Sequence, residues 1–242
     1  MRRIFIYLAA AALFAAPAVA APGLGEKVYP ATIVADITEF ETRYGRLTGG
    51  PSDGTDALKL EIDHSFSTRF SGAIFTTLAR EPGGSRQPVE VALEGVAHLG
   101  RVGGVDIAAY GEYSQGIAAA DGLEFKALFS RRKGRFDGRL NLIVEKPLDG
   151  GPGQFGYAAS ADWTIAGDLR GGVAAFGDAG DTARFLGRHE HYAGPVLKTD
   201  IEHLPIPGEI EVEAGYLFAL PGDARDRTEG QVRLLLEWEH RF

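Results

Sequence analysis

The sequence predicts an all-β chain folded as an antiparallel up-and-down transmembrane β-barrel of about 12 strands, with about 10 or 14 as the alternatives. Three observations carry that reading. Segments of about ten residues alternate apolar and polar along most of the chain, the period of side chains on a strand. Gly, Pro and Asp separate these segments, and the 33 glycines serve turns and close strand contacts. The stretch from Gly230 to Phe242 puts Val232, Leu234, Leu236, Trp238, His240 and Phe242 on one face. Arg233, Glu237, Glu239 and Arg241 fall on the other, broken only by Leu235. An apolar face ending in an aromatic, against a charged face, suits lipid outside and a polar lumen inside.

The elements follow in order. Residues 1–20 read as a secretory signal peptide: Arg2 and Arg3 precede an apolar run from Ile4 to Ala16, and Ala18-Val19-Ala20 forms an A-x-A site. The run is too short for a spanning helix. Loss of Arg2 and Arg3 with the leader takes the formal charge from −8 to −10. Residues 21–36 contain Pro and Gly and read as a periplasmic lead-in. Residues 37–242 read as the barrel.

Its first half offers strands at Ile37–Leu47, Ala57–Phe66, Thr68–Ala79, Pro88–Leu99, Val105–Tyr113 and Gly122–Ser130. In the second half come Arg135–Glu145, Phe155–Thr164, a glycine-rich Leu169–Phe176, His191–Ile201, Glu209–Phe218 and the terminal strand. Connections near 48–56, 80–87, 114–121, 146–153, 177–189 and 220–228 are long and Gly/Asp-rich. Those near 66, 100–104, 131–134, 165–168 and 203–208 are shorter. Long loops outside and short turns inside are the asymmetry of a membrane barrel, and an even strand count puts both ends on the periplasmic side.

A soluble barrel would bury the apolar face and show its charges to water. Aromatics near strand ends (Tyr44, Tyr113, Trp163, Tyr216, Trp238), spanning-length strands and a terminal strand that closes the chain favour the membrane form. That final amphipathic strand, with Trp238, His240 and Phe242, resembles the assembly signal of Gram-negative outer-membrane β-barrel proteins. The resemblance implies location in the outer membrane, contact with its lipid, periplasmic chaperones on the way, and insertion by the barrel-assembly machinery. It implies no particular subfamily.

The chemistry-bearing motifs are sparse. Cys is absent, which excludes disulfides, thiolate metal sites and a lipid-anchored cysteine. The acidic balance argues against nucleic acid as a partner. His64 and Ser65 are adjacent, but neighbours on a strand face opposite sides, so they form no nucleophile–base pair. His189 and His191 share a side near a loop, two ligands short of a metal site. No phosphate-binding loop or dinucleotide fingerprint appears, so no cofactor, metal or catalytic residue is expected.

The lumen-facing set is the functional feature. It comprises Glu39, Glu41, Arg43, Lys59, Glu61, Asp63, Glu90, Glu94, Asp106, Glu112, Arg139, Glu211, Glu213, Arg233, Glu237 and Glu239. Closure of the first strand on the last would bring Glu39 and Glu41 beside Glu237 and Glu239. That many carboxylates call for water or cations, so the expectation is a narrow, hydrated channel that weakly prefers cations, or a structural barrel. A lipid-modifying enzyme and a surface-binding barrel are the alternatives.

Overall fold

The computed structural model describes residues 21–117, 119–202 and 207–241, with residues 187–189 described by their backbone alone. The leader and Phe242 lie outside the described residues. The strands are β1 (Ile37–Thr48), β2 (Asp56–Ser67), β3 (Phe70–Arg80), β4 (Gln87–Val102), β5 (Val105–Gly116) and β6 (Gly122–Lys133). They continue with β7 (Phe136–Pro147), β8 (Gln154–Ala166), β9 (Leu169–Asp181), β10 (Phe185–Ile201), β11 (Glu209–Ala219) and β12 (Gly230–His240). A short helix, α1 (Asp223–Arg227), sits between β11 and β12. Each strand pairs antiparallel with the next, and β1 pairs with β12, which closes the barrel and leaves no edge.

Long and short connections alternate between two ends, here called the loop end and the turn end. Thr38 pairs with His240, so β1 starts and β12 finishes at the turn end. One connection differs from the sequence reading. Residues 177–189 do not form a long loop, because β9 runs on to Asp181 and β10 already starts at Phe185. The ladder tolerates the Gly-rich stretch by shifting register between Phe185 and Glu190.

The two faces separate by chemistry. Leu60, Ile62, Phe70, Ile74, Leu93, Phe125, Leu142, Trp163, Val173, Leu197, Phe218 and Leu236 are all exposed on the outside. A continuous apolar belt of that extent is stable against lipid and would aggregate in water. At the turn end Trp238 stacks on Phe40 and His240, and Phe136 packs on Trp163, aromatic pairs of the kind that line membrane interfaces.

The inside of the barrel is filled in part by residues 21–36. This corrects the expectation of a periplasmic lead-in: Ala21, Leu24, Val28, Tyr29 and Ala31 are all buried. The segment starts near the loop end, where Gln231 donates a 2.9 Å hydrogen bond to the Pro22 carbonyl. It ends at the turn end, where the Asp36 N–H donates to the Ser65 carbonyl. Ala21, Leu24 and Val28 pack with wall residues Leu47, Ala57, Ala174, Phe176 and Tyr192, while Tyr29 and Ala31 pack with Val96, Ala108, Tyr110 and Leu128. Small wall residues make the room. A Cβ on Gly45 would lie 2.6 Å from the Gly25 backbone nitrogen, so only glycine allows that approach.

Candidate functional site

The lead-in threads the lumen without joining a strand ladder among the described residues, so side chains of the wall must satisfy its backbone. Asn141 does so twice, accepting from the Tyr29 N–H at 2.8 Å and donating to the Tyr29 carbonyl at 3.0 Å. Ser130 accepts from the Ala31 N–H at 2.8 Å. Arg233 donates to the Gly23 and Glu26 carbonyls at 3.3 and 2.8 Å, and Arg139 to the Val28 carbonyl at 3.3 Å. These contacts satisfy backbone groups of the lead-in that no strand ladder reaches.

Charge is concentrated where the lead-in crosses β1 and β2. Lys27 Nζ stands 2.6 Å from Glu41, 3.5 Å from Glu61 and 3.9 Å from Glu237. Arg43, almost fully buried, pairs with both Glu41 and Glu61 and donates to the Tyr29 hydroxyl at 3.2 Å. Glu26 meets Lys59 at 2.8 Å, and Lys126 and Arg43 at 3.9 Å each. The three cations around Glu26 and the three carboxylates around Lys27 keep both side chains charge-matched inside the barrel.

Tyr29 anchors the segment's other flank. Its hydroxyl donates to Glu94 at 3.0 Å, and the Tyr110 hydroxyl lies between Glu94 at 2.8 Å and Glu112 at 2.5 Å, with one proton to share between them. Lys126 Nζ lies 4.5 Å from the centre of the Tyr29 ring and 4.3 Å from that of Tyr110, a cation seated between two aromatic faces.

The expected seam of carboxylates is continuous. Asp63, Glu39, Glu239 and Glu209 lie directly opposite one another across β2, β1, β12 and β11. A second row one step in runs Glu61, Glu41, Glu237, Glu211 and Asp200. A third row, Glu94, Glu112, Glu124 and Glu145, crosses β4 to β7 on another part of the wall. Directly opposed like charges destabilise a sheet unless cations or water intervene. Lys27 and Arg43 serve the second row, and Lys126 serves the third at 2.7 Å from Glu124. In the first row carboxylate oxygens of Glu39 and Glu239, with one of Glu237, converge within 4.8 Å of one another.

The remaining expected lumen residues occupy smaller pairings. Glu90 accepts from Thr77 at 2.8 Å, and Asp106 lies 3.6 Å from Arg101. Arg139 stands 3.4 Å from Asp137, while Glu213 binds Lys198 at 2.9 Å and Arg233 at 3.1 Å. His64 meets Thr38 at 2.9 Å rather than Ser65, and the His189 side chain lies outside the described residues. Sequence reasoning missed Glu26, Lys27 and Tyr29. Beside the lead-in a cavity of about 410 Å³ extends from Glu26, Lys27, Lys59 and Lys126 towards Asp121 and Pro147 at the loop end.

Solved structures with a similar fold include porins and an outer membrane channel. A KdgM porin in complex with disordered oligogalacturonate superposes with a TM-score of 0.58 at 13% identity, over 84% of this chain and 99% of that one. The NanC porin gives 0.57 at 9% identity, over 84% and 100%. The COG4313 outer membrane channel from Pseudomonas putida F1 gives 0.61 at 11% identity, over 91% and 99%. The chain has an outer-membrane β-barrel fold. At these identities the likeness establishes the fold alone. No protein-family model matches the sequence, and no curated protein matches it.

Proposed function

We propose that the chain is a small channel of the Gram-negative outer membrane, narrowed by its own lead-in and preferring cations. The observation that carries this reading is a closed barrel with a charged interior, in which a cavity of about 410 Å³ persists beside the lead-in. A purely structural barrel gains nothing from a wall of opposed carboxylates, whose desolvation is costly. A hydrated path makes that wall tolerable, and its acidic rows attract cations. The porin and channel folds of the superposed structures support the same reading.

In this account the turn end faces the periplasm, the leader directs export, and lipid surrounds the apolar belt. Trp238, His240 and Phe242 serve as the signal read by the barrel-assembly machinery, after escort by periplasmic chaperones. The decisive experiment compares planar-bilayer currents of the mature chain and of a chain lacking residues 21–33. The shortened chain should conduct at least several-fold more. A shortened barrel that inserts but carries no current refutes the channel.

A further inference from the structure

Glu26 and Lys27 are sequence neighbours of opposite charge, and the wall meets each with its complement. Lys59, Lys126 and Arg43 surround the Glu26 carboxylate at 2.8, 3.9 and 3.9 Å. Glu41, Glu61 and Glu237 surround the Lys27 ammonium at 2.6, 3.5 and 3.9 Å. All six wall groups come from barrel strands, whereas the two residues that satisfy them ride on a segment held by side-chain contacts. The two seats adjoin, because Arg43 reaches Glu26 on one side and pairs with Glu41 and Glu61 on the other. The basic seat borders the cavity that runs to the loop end through Lys59 and Lys126, Lys27 lines the same cavity in front of the acidic seat, and about a third of the Glu26 side chain remains accessible.

We propose that this pair of seats is a binding site for a small zwitterion bearing one carboxylate and one primary ammonium, with Glu26–Lys27 occupying it as a tethered pseudo-ligand. The assignment rests on the channel reading and deepens it by naming a class of solute that these seats would hold. A simple cation would satisfy the three carboxylates and leave Lys59 without the carboxylate it now holds. A simple anion would do the reverse. Only a solute with both charges replaces what the lead-in supplies, and leaving buried charges unmatched is what gives such a site its discrimination. A free zwitterion then competes with the lead-in, so binding and release of the segment are linked.

The test uses the mature chain refolded in detergent, with Glu26→Ala/Lys27→Ala emptying both seats. The readout is the temperature at which the compact, faster-migrating gel form is lost. The probe is 6-aminohexanoate, with hexylammonium and hexanoate as controls, separately and mixed. The double variant should melt lower than the parent chain, and 6-aminohexanoate should raise its midpoint. The zwitterion should bind about tenfold more tightly than either control, a difference of about 1.4 kcal/mol. The parent chain, in which the zwitterion must compete with the tethered pair, should respond less than the double variant. If the double variant does not refold, Glu26→Gln/Lys27→Met retains the side-chain bulk and takes the same test. No response to the zwitterion, or an equal response to hexylammonium alone or to the mixed controls, overturns the proposal. Bilayer silence of the chain lacking residues 21–33 overturns the channel instead, and leaves the thermal result to stand by itself.

Discussion

Leu236→Lys is the most discriminating single substitution. Leu236 lies on the outer face of β12 at 40% exposure, between Thr42 of β1 and Val212 of β11. It is one residue from the middle of the strand Gly230–His240. With a rise of ~3.4 Å per residue and a tilt of ~40°, it sits within ~3 Å of the bilayer midplane. A lysine there costs about 2–4 kcal/mol, a factor of roughly 30 to 700 in the folding equilibrium. Leu235 provides the control: it is 6% exposed and faces the lumen, opposite Arg43 and Glu213. A lysine at Leu235 loses apolar packing but remains near carboxylates, so its cost should be smaller. Urea titration of the chain folded into phosphatidylcholine vesicles, followed by gel mobility, measures both. If the outer face met water, an exposed leucine would accept lysine within about 0.5 kcal/mol. A near-neutral Leu236→Lys, or equal damage at the two positions, would refute the assignment of faces.

Two further predictions concern the lead-in. Glu26→Gln removes the carboxylate charge that faces Lys59, Lys126 and Arg43, so the variant should melt below the parent chain. Equal melting temperatures would contradict the pairing with Lys59 and Lys126. Gly45→Val places a side chain where the Gly25 backbone now lies, so the lead-in must shift, and bilayer conductance should rise towards that of the chain lacking residues 21–33. Unchanged conductance would contradict the close approach of these two segments.

The barrel was legible because each strand repeats the same constraint. Alternation places Leu58, Leu60 and Ile62 on one face of β2 and Lys59, Glu61 and Asp63 on the other, and closure then dictates that Glu41 meets Glu237. The β9–β10 connection misled because Gly177, Asp178, Gly180 and Asp181 carry turn chemistry, yet the neighbouring strands continue past them and extend the ladder. The lead-in misled for a different reason. Pro22, Gly23 and Gly25 look like a linker, and no periodicity marks a segment whose partners are side chains scattered around the barrel wall. A signal was nevertheless present in the wall itself. Ala57, Ala73, Ala92, Ala158 and Ala174 face the interior of the barrel, and such small apolar residues leave room for something that packs on them. The carboxylate seam also called for a cation beyond Arg43 of β1, and Lys27 provides it.

The reversal potential of the chain lacking residues 21–33, across a tenfold KCl gradient in a planar bilayer, tests the central claim most directly. The acidic rows at the turn end predict a potential of the sign set by K⁺, and Glu237→Gln/Glu239→Gln in the same background should move it towards zero while gel mobility stays that of a folded barrel. A potential set by Cl⁻, or one that the double substitution leaves unmoved, would contradict the account.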